Sequence, residues 1–241
     1  MRSDKFPGRK SIALLLDPDK ARGEQLLEIL KVASGSKTDY IMVGGSLTFS
    51  SIDDLIDIIK QNCSIPVILF PGNLLQLSHK ADTIILLSLI SGRNPELLIG
   101  NHVIAAPYLK NIREKLISAG YILVSCGSRT SVEYISQTEA IPSDKHDIVV
   151  ATAMAGEMLG LQMIYLEAGS GASKPVPSRL IKEVRKNISI PLAVGGGIRN
   201  KEGVETIFKA GADLIVLGNG CEKDPGLLAE ACKTRDELRA I

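Results

Sequence analysis

Several residue types and patterns are scarce in this sequence of 241 residues, which has no tryptophan and only four cysteines. The cysteines show neither a C-x-x-C pair nor Cys/His ligand spacing, so we predict neither a zinc site nor a disulfide framework. The 28 basic residues are balanced by 27 acidic ones, giving a formal net charge of +1. Since nucleic-acid-binding proteins carry a clustered basic face, we expect no nucleic-acid partner.

Long hydrophobic runs are also missing. A helix that spans a bilayer needs about 20 apolar residues, and the apolar runs here, such as residues 83–90, are much shorter. The N-terminal segment lacks the apolar stretch of a secretory signal, so a cytoplasmic location is expected. A chain of this length buries enough surface to form one core, and we predict a single domain over residues 1–241.

Short runs rich in leucine and β-branched residues recur along the chain. Eight of them are predicted strands, at residues 12–16, 40–43, 67–70, 83–87, 121–124, 163–166, 192–194 and 214–217. None alternates strictly between apolar and polar residues, which is typical of parallel strands covered on both faces. Amphipathic segments that separate strands are predicted helices, at residues 22–32, 52–60, 178–186 and 201–210.

Strands that alternate with helices indicate right-handed βα units, and eight units in this length favour a (β/α)₈ TIM barrel of the α/β class. An open, doubly wound sheet is the alternative. Only residues 74–80 separate the third and fourth strands, so the third helix is expected to be short or irregular.

Active sites of such barrels lie at the carboxyl ends of the strands, where two glycine clusters stand out. Gly195, Gly196 and Gly197 follow the seventh predicted strand, and Gly218, Asn219 and Gly220 follow the eighth. Backbone N–H groups exposed by glycines, together with the start of a helix, favour an anion and predict a phosphate cradle. Tight turns that need glycine only for its conformation are the alternative.

Tyr165 and Glu167 mark the end of the sixth predicted strand. A carboxylate there can accept a proton from a substrate hydroxyl, and a tyrosine can hold that substrate by hydrogen bonding. The alternatives are an ion pair for Glu167 and core packing for Tyr165.

Asp17 and Asp19 follow the first predicted strand in an Asp-Pro-Asp-Lys sequence, and Ser46 follows the second. Mg²⁺ takes one or two carboxylates together with phosphate oxygens and water, so Asp17 and Ser46 are candidate metal ligands. Alternatively, the first group is turn chemistry with Asp19 as a helix cap, and Ser46 or Thr48 caps the second helix.

Two segments, residues 95–109 and 147–159, are unusually apolar. They line a channel for a long hydrocarbon, form a subunit interface, or pack as ordinary helices.

Motifs at these strand ends together resemble one enzyme family, that of geranylgeranylglyceryl phosphate synthase, which includes bacterial heptaprenylglyceryl phosphate synthases. The matching stretches span nearly the whole chain: residues 14–20, 43–46, 70–73, 88–95, 165–171, 194–199 and 218–219. The Tyr-Leu-Glu-Ala-Gly-Ser-Gly block, followed by Gly-Gly-Gly-Ile-Arg, is much more specific than any single glycine motif.

The resemblance implies a Mg²⁺-dependent prenyltransferase. Such an enzyme joins a long-chain prenyl diphosphate to the C3 hydroxyl of sn-glycerol 1-phosphate and releases pyrophosphate. The resemblance assigns Asp17 and Ser46 to the metal. The residues it assigns to glycerol phosphate are Tyr165, Leu166, Glu167, Ala168, Gly169, Ser170, Gly171, Gly196, Gly197, Gly218 and Asn219.

One position departs from part of that family. A lysine stands there two positions before the Asp-Pro pair, whereas this chain has Leu15, as in the archaeal-type and related bacterial branch. Lys20 or Arg22 could supply the missing contact with the diphosphate.

Two other functions use a similar phosphate cradle. One is that of another phosphate-binding barrel, such as a sugar-phosphate isomerase, and the other is that of a non-catalytic glycerol phosphate binder.

We also expect a homo-oligomer, because apolar helix surfaces favour one, and transient contact with a membrane, because the substrate and product would be lipids.

Overall fold

A computed structural model describes residues 10–127 and 129–240 of the chain. The domain predicted over residues 1–241 therefore includes residues 1–9, 128 and 241, which lie outside the described part. The strands of the described part are β1 (Ser11–Leu16), β2 (Tyr40–Val43), β3 (Val67–Leu69), β4 (Thr83–Leu89), β5 (Leu116–Ser125), β6 (Ile141–Pro142), β7 (Met163–Glu167), β8 (Leu192–Gly195) and β9 (Leu214–Leu217).

The strands form a closed parallel barrel. Strand order runs β4-β3-β2-β1-β9-β8-β7-β5, and pairing between β4 and β5 closes the ring. The two-residue strand β6 adds to the outer end of β5 through Val124 and Ile141 and is not a barrel strand. The predicted TIM barrel is confirmed, with all eight predicted strands in the ring.

Helices surround the barrel. Those of the described part are α1 (Gly23–Gly35), α2 (Ile52–Asn62), α3 (Asn101–Leu109), α4 (Ser131–Ser136), α5 (His146–Met158), α6 (Ser178–Asn187), α7 (Lys201–Ala210), α8 (Asn219–Lys223) and α9 (Gly226–Arg239). A π-helical turn, Glu96–Gly100, precedes α3, and a 3₁₀ segment, Lys110–Lys115, follows it. None of the helices in the described ranges is long and apolar enough to cross a membrane.

The connection between β3 and β4 is the irregular one, as predicted. A 3₁₀ turn, Leu74–Gln76, is the helical element there in place of an α-helix. Strand β3 also ends one residue earlier than predicted, at Leu69, because Pro71 has no N–H with which to continue the ladder. Sequence reasoning missed β6, which makes a two-residue pairing too short to produce a periodic pattern.

Side chains alternate between two layers of the core. On β7, Met163 and Tyr165 point into the barrel interior, whereas Ile164 and Leu166 pack outward against the helices. Because successive residues of a strand face opposite sides, Glu167 shares the inward face with Tyr165. The barrel interior is filled mainly by apolar side chains, as in other barrels of this type.

Candidate active site

The carboxyl ends of the strands bring the predicted site residues to one end of the barrel. Strand β5 places Tyr121 beside Tyr165, and β8 places Ala193 beside Tyr165 and Gly195 beside Glu167. Glycine at position 195 lets two polar side chains lie close to the backbone. A Cβ there would stand 2.2 Å from the Tyr165 hydroxyl and 2.9 Å from Glu167 Oε2.

Tyr165 packs in the core and also carries a buried hydroxyl group. Its ring stacks on Phe70 with a centroid separation of 5.3 Å and lies 5.2 Å from the ring of Tyr121. Its hydroxyl is buried, makes no hydrogen bond of standard geometry with the described residues, and has the Glu167 carboxyl group as its polar neighbour. Buried polar atoms normally have a partner, so this hydroxyl indicates a place where a ligand supplies one.

Glu167 is a buried carboxylate that accepts a 2.6 Å hydrogen bond from the Gly169 N–H. Burial raises its pKa to about 7, although the Gly169 N–H and the neighbouring Tyr165 hydroxyl work in the opposite direction. No ion pair within residues 10–127 and 129–240 involves Glu167, so the alternative of an ion-pair role for this residue is not supported. A carboxylate whose pKa lies close to neutral is well suited to exchange a proton with a substrate hydroxyl.

The glycines after β8 let the backbone approach the β7 loop closely. Gly196 has a φ of +82°, and a Cβ there would stand 2.3 Å from Glu167 Oε1 and 2.8 Å from the Gly169 nitrogen. Gly197 has a φ of +69°, and a Cβ there would stand 2.3 Å from the Lys174 carbonyl oxygen. Glycine is therefore required here by both conformation and space, and the turn joins β8 to the start of α7 as a phosphate cradle requires.

Two side chains tie this cradle to its neighbours. The Asn219 amide donates a 3.0 Å hydrogen bond to Ser170 Oγ, which joins the loops after β9 and β7. Arg199 donates a 3.0 Å hydrogen bond to the Ala172 carbonyl, which joins the loop after β8 to the same β7 loop. The predicted glycerol phosphate residues after β7, β8 and β9 thus form one continuous surface.

Asp17 stands on the other side of the mouth. Its Oδ1 accepts a 3.0 Å hydrogen bond from the Asp19 N–H, so it also shapes the turn. Its Oδ2 lies 3.5 Å from the position of a Cβ on Gly45, next to Ser46. Ser46 is free of a capping role, because the helix-capping side chain of α2 is Ser51.

The donor set around Asp17 fits a hard divalent cation. A carboxylate and a neighbouring hydroxyl are oxygen ligands, which Mg²⁺ prefers, and it takes few protein ligands because it keeps water and substrate oxygens. No group of three or more acidic, histidine or cysteine side chains suited to a metal occurs in the described part of the chain. Any Mg²⁺ at Asp17 and Ser46 would therefore take its remaining ligands from water and from substrate phosphate oxygens.

Asp19 and Arg22 are engaged elsewhere. The Asp19 carboxylate accepts hydrogen bonds of 2.9 Å from the Phe49 N–H and 2.8 Å from the Ser50 N–H. It therefore holds the β1 loop against the loop before α2, whereas α1 begins after Arg22 without a side-chain cap. Arg22 hydrogen-bonds to Ser50 and lies 3.7 Å from Asp19, on that same side.

Lys20 points into the site instead. Its Nζ lies 3.3 Å from Asp17 Oδ2 and 3.3 Å from Asn219 Oδ1. Asp17, Lys20, Asn219 and Ser170 thus form a chain of polar contacts across the mouth, which we call the polar chain.

Gln76, which sequence reasoning missed, organises the loop that carries Ser46. It is 2% exposed, and its amide donates a 2.7 Å hydrogen bond to the Gly45 carbonyl. Its Oε1 accepts a 3.0 Å hydrogen bond from the Gly72 N–H. The 3₁₀ turn thereby fixes the backbone beside the candidate metal ligands. The sequence signal was a lone glutamine among leucines, which pattern reasoning does not single out.

An apolar rim lines part of the same mouth. Leu15, Leu97 and Val132 are partly buried and pack on the interior cluster that contains Tyr165 and Phe70. Of the two apolar segments, residues 95–109 thus contribute Leu97 to the mouth. Other residues of the two segments lie on the outer surface, where Val103 is 64% exposed, Tyr108 69% and Met158 78%. Ala105, Leu109, Val149 and Ala153 instead pack in the core.

Known proteins resemble this chain over nearly its whole length. The model of the PcrB family matches residues 8–235. A geranylgeranylglyceryl phosphate synthase of Spirosoma linguale is 49% identical over 231 residues, covering 95% of this chain and 93% of the relative. The enzyme of that name from Pyrococcus furiosus is 39% identical over 238 residues, covering 98% and 94% of the two chains.

A solved structure also matches over nearly its full length. It is the crystal structure of (S)-3-O-geranylgeranylglyceryl phosphate synthase from Thermoplasma acidophilum in complex with its substrate sn-glycerol 1-phosphate. The TM-score is 0.88 at 33% identity, with 95% of this chain and 94% of the other covered.

Proposed function

The chain belongs to the PcrB family, and on that premise we propose that it is a Mg²⁺-dependent prenyltransferase that acts on sn-glycerol 1-phosphate. A long-chain prenyl diphosphate is the donor, and the C3 hydroxyl of the glycerol phosphate is the acceptor. The products are an ether-linked prenylglyceryl phosphate and pyrophosphate.

One observation carries this proposal. A buried carboxylate with a pKa raised by burial to about 7, and a buried tyrosine hydroxyl next to it, lie beside a glycine-lined cradle. A phosphorylated alcohol supplies what each part lacks: an anion for the cradle and a hydroxyl for the two polar side chains.

Acceptor binding follows from the glycines. The phosphate would lie against the backbone of Gly196 and Gly197 and against Gly218 and Asn219, with Ser170 held nearby by Asn219. The Tyr165 hydroxyl and Glu167 would then contact the glycerol hydroxyls. The side chain of Leu166 faces the helices, so its contribution to binding would come from its backbone.

The reaction forms one bond and breaks another. The C3 oxygen bonds to C1 of the prenyl group as the bond from C1 to the diphosphate oxygen breaks. The proton of the hydroxyl passes to Glu167, and the bonding electron pair leaves with pyrophosphate. Asp17 and Ser46 would hold Mg²⁺, whose charge would neutralise that of the pyrophosphate.

The donor would enter over Phe70 and the apolar rim of Leu15, Leu97 and Val132. Apolar side chains there would bury the first prenyl units, while the diphosphate lies towards Asp17. Water that remained at this rim would compete with the acceptor, so its apolar character also protects the reaction from hydrolysis.

We further propose transient docking on a membrane surface. Leu47 and Phe49, in the loop before α2, are 52% and 86% exposed, and Leu75 on the neighbouring 3₁₀ turn is 96% exposed. These loops flank the mouth, so shallow insertion would present the site to lipid substrates. Sedimentation with phospholipid vesicles tests this, with reduced binding of Phe49→Ser expected.

The apolar outer side of α3 supports a homo-oligomer. Val103, Ile104 and Tyr108 are 64%, 55% and 69% exposed, a large apolar area for the outside of a barrel helix. A second copy of the chain would cover it in a symmetric contact. Analytical ultracentrifugation tests this, and Tyr108→Lys should shift the protein towards monomer.

A product assay tests the function itself. Labelled sn-glycerol 1-phosphate, Mg²⁺ and prenyl diphosphates from C15 to C35 are incubated with the protein, and labelled lipid is extracted into organic solvent. We expect extractable label that is abolished by EDTA, with a maximum at one chain length. Absence of lipid at every length, with glycerol phosphate still bound, would favour an isomerase or a non-catalytic binder instead.

A further inference from the structure

We propose that Lys20 is a phosphate-binding residue that couples the metal site to the glycerol phosphate cradle. It neutralises Asp17 while no divalent cation is bound, and it transfers to a substrate phosphate oxygen when a cation takes Asp17. This inference rests on the proposed function, because it uses the metal and phosphate roles given there.

Position is the first argument. Lys20 Nζ lies 3.3 Å from Asp17 Oδ2 and 3.3 Å from Asn219 Oδ1, between a candidate metal ligand and a candidate phosphate ligand. Asn219 is itself hydrogen-bonded to Ser170 at 3.0 Å. The ammonium group thus stands where the two anionic substrate groups must come together.

The neighbouring side chains do not compete with Lys20 for a substrate phosphate. Leu15 is apolar and lies beside Gly218, with its side-chain carbons 3.8 Å from the position of a Cβ there. The Arg199 head group donates to the Ala172 carbonyl, and Arg22 is held by Ser50 and Asp19.

Mobility is the second argument. The Lys20 side chain is 49% exposed, and its contacts with Asp17 and Asn219 are long for charge-assisted hydrogen bonds, which measure about 2.7–2.9 Å. An exposed ion pair of this kind contributes little stability, and lysine carries a compact charge on a flexible stem. The pair with Asp17 is therefore easily exchanged for better partners.

Competition for Asp17 is the third argument. A divalent cation and the Lys20 ammonium group both need the Asp17 carboxylate, and cation binding brings two positive charges close to the ammonium. Lys20 then gains by moving along the polar chain to a phosphate oxygen near Asn219. Glu222, whose pKa is raised by burial and lowered by Lys20, is another carboxyl group in the same field.

The coupling has a thermodynamic signature. Mg²⁺ should strengthen the binding of glycerol phosphate, and glycerol phosphate should strengthen the binding of Mg²⁺ by the same factor. Loss of the Lys20 charge should act on the two ligands with opposite sign. Phosphate loses a partner, whereas Mg²⁺ loses a competitor.

Titration calorimetry on the full chain tests this with wild type, Lys20→Met and Lys20→Arg. In the presence of Mg²⁺, Lys20→Met should bind sn-glycerol 1-phosphate about tenfold more weakly, since hydrogen bonds to charged groups are worth that much or more. Without glycerol phosphate, the same variant should bind Mg²⁺ several-fold more tightly. Lys20→Arg should restore most of the glycerol phosphate affinity.

Lys209→Met is the matched control. Lys209 is 61% exposed and pairs with Glu205 on α7, so this variant loses the same charge outside the site and should titrate as wild type. The proposal is overturned if Lys20→Met binds glycerol phosphate as wild type does, weakens both ligands together, or leaves the coupling factor unchanged. A wild type that binds neither ligand overturns it as well.

The product assay on wild type distinguishes failure of the Lys20 role from failure of the proposed function. Ether formation by wild type, with wild-type titrations for Lys20→Met, would reject the role of Lys20 and leave the proposed function standing. No ether formation, with titrations of opposite sign for Lys20→Met, would reject the prenyl transfer and retain Lys20 as the coupling residue.

Discussion

Replacing Glu167 with glutamine should make the protein more stable and less active at once. The glutamine side chain has the same shape and keeps an oxygen that can accept the hydrogen bond from the Gly169 N–H. It cannot ionise, however, so it avoids the cost of a buried charge and loses the ability to take up a proton.

The magnitude follows from the pKa of Glu167. Burial raises it from 4.5 to about 7, so the folded protein binds this proton more tightly than the unfolded chain does. Between these two values the unfolded chain has lost the proton and the folded protein retains it, so wild-type stability falls as pH rises. The glutamine variant cannot ionise, so it does not lose stability in this way as pH rises. Above about pH 7 its free energy of unfolding should exceed that of wild type by up to roughly 3 kcal/mol.

Activity should change in the opposite direction. General base catalysis contributes roughly 10²–10⁴-fold, and the variant should lose a factor of this size in kcat with a smaller change in glycerol phosphate affinity. Wild-type kcat/KM should rise with pH through about 7 as Glu167 loses its proton.

Urea unfolding of both proteins at about pH 5 and about pH 8 measures the stability difference, which should grow with pH. Single-turnover assays measure the rate. A variant that turns over at the wild-type rate would refute the role of Glu167 as a base. Equal stability at the higher pH would refute the burial argument.

Three further substitutions test other parts of the site. Asp17→Asn should raise the Mg²⁺ concentration for half-maximal activity at least about tenfold, and an unchanged Mg²⁺ titration would exclude Asp17 as a ligand. Tyr165→Phe removes the buried hydroxyl next to Glu167, so calorimetry should show glycerol phosphate binding weakened about tenfold; unchanged affinity would mean that Tyr165 only packs in the core. Gly196→Ala should cost about 1–3 kcal/mol in urea unfolding and prevent glycerol phosphate binding, because φ is +82° and the new Cβ would stand 2.3 Å from Glu167 Oε1. Wild-type binding by that variant would contradict the close approach of the β8 loop to Glu167.

Local patterns in the sequence predicted most of the barrel. Helix α7 begins at Lys201 and ends at Ala210 as predicted, since Asn200 caps its start and Gly211, with a φ of +110°, ends it. Such signals lie within a few residues of the element that they define. The placement of Glu167 at the mouth also followed from its position at the end of an apolar run.

Contacts between distant residues could not be predicted in the same way. The bond from Lys20 to Asn219 joins residues that are 199 positions apart, and the bond from Gln76 to Gly45 joins residues 31 apart. Closure of the barrel creates both contacts, so no local pattern records them. Side-chain roles with two local interpretations, such as a cap or a ligand for Ser46, were separated only when Ser51 proved to be the cap of α2.

The stoichiometry of a single turnover tests the central claim most directly. Enzyme in excess over labelled sn-glycerol 1-phosphate is mixed with Mg²⁺ and the best prenyl diphosphate, and the ether lipid and pyrophosphate are quantified in the same quenched samples. The account predicts that both products form at the same rate and in equal amounts. Pyrophosphate released without ether, or glycerol phosphate converted to a product that contains no prenyl group, would contradict it.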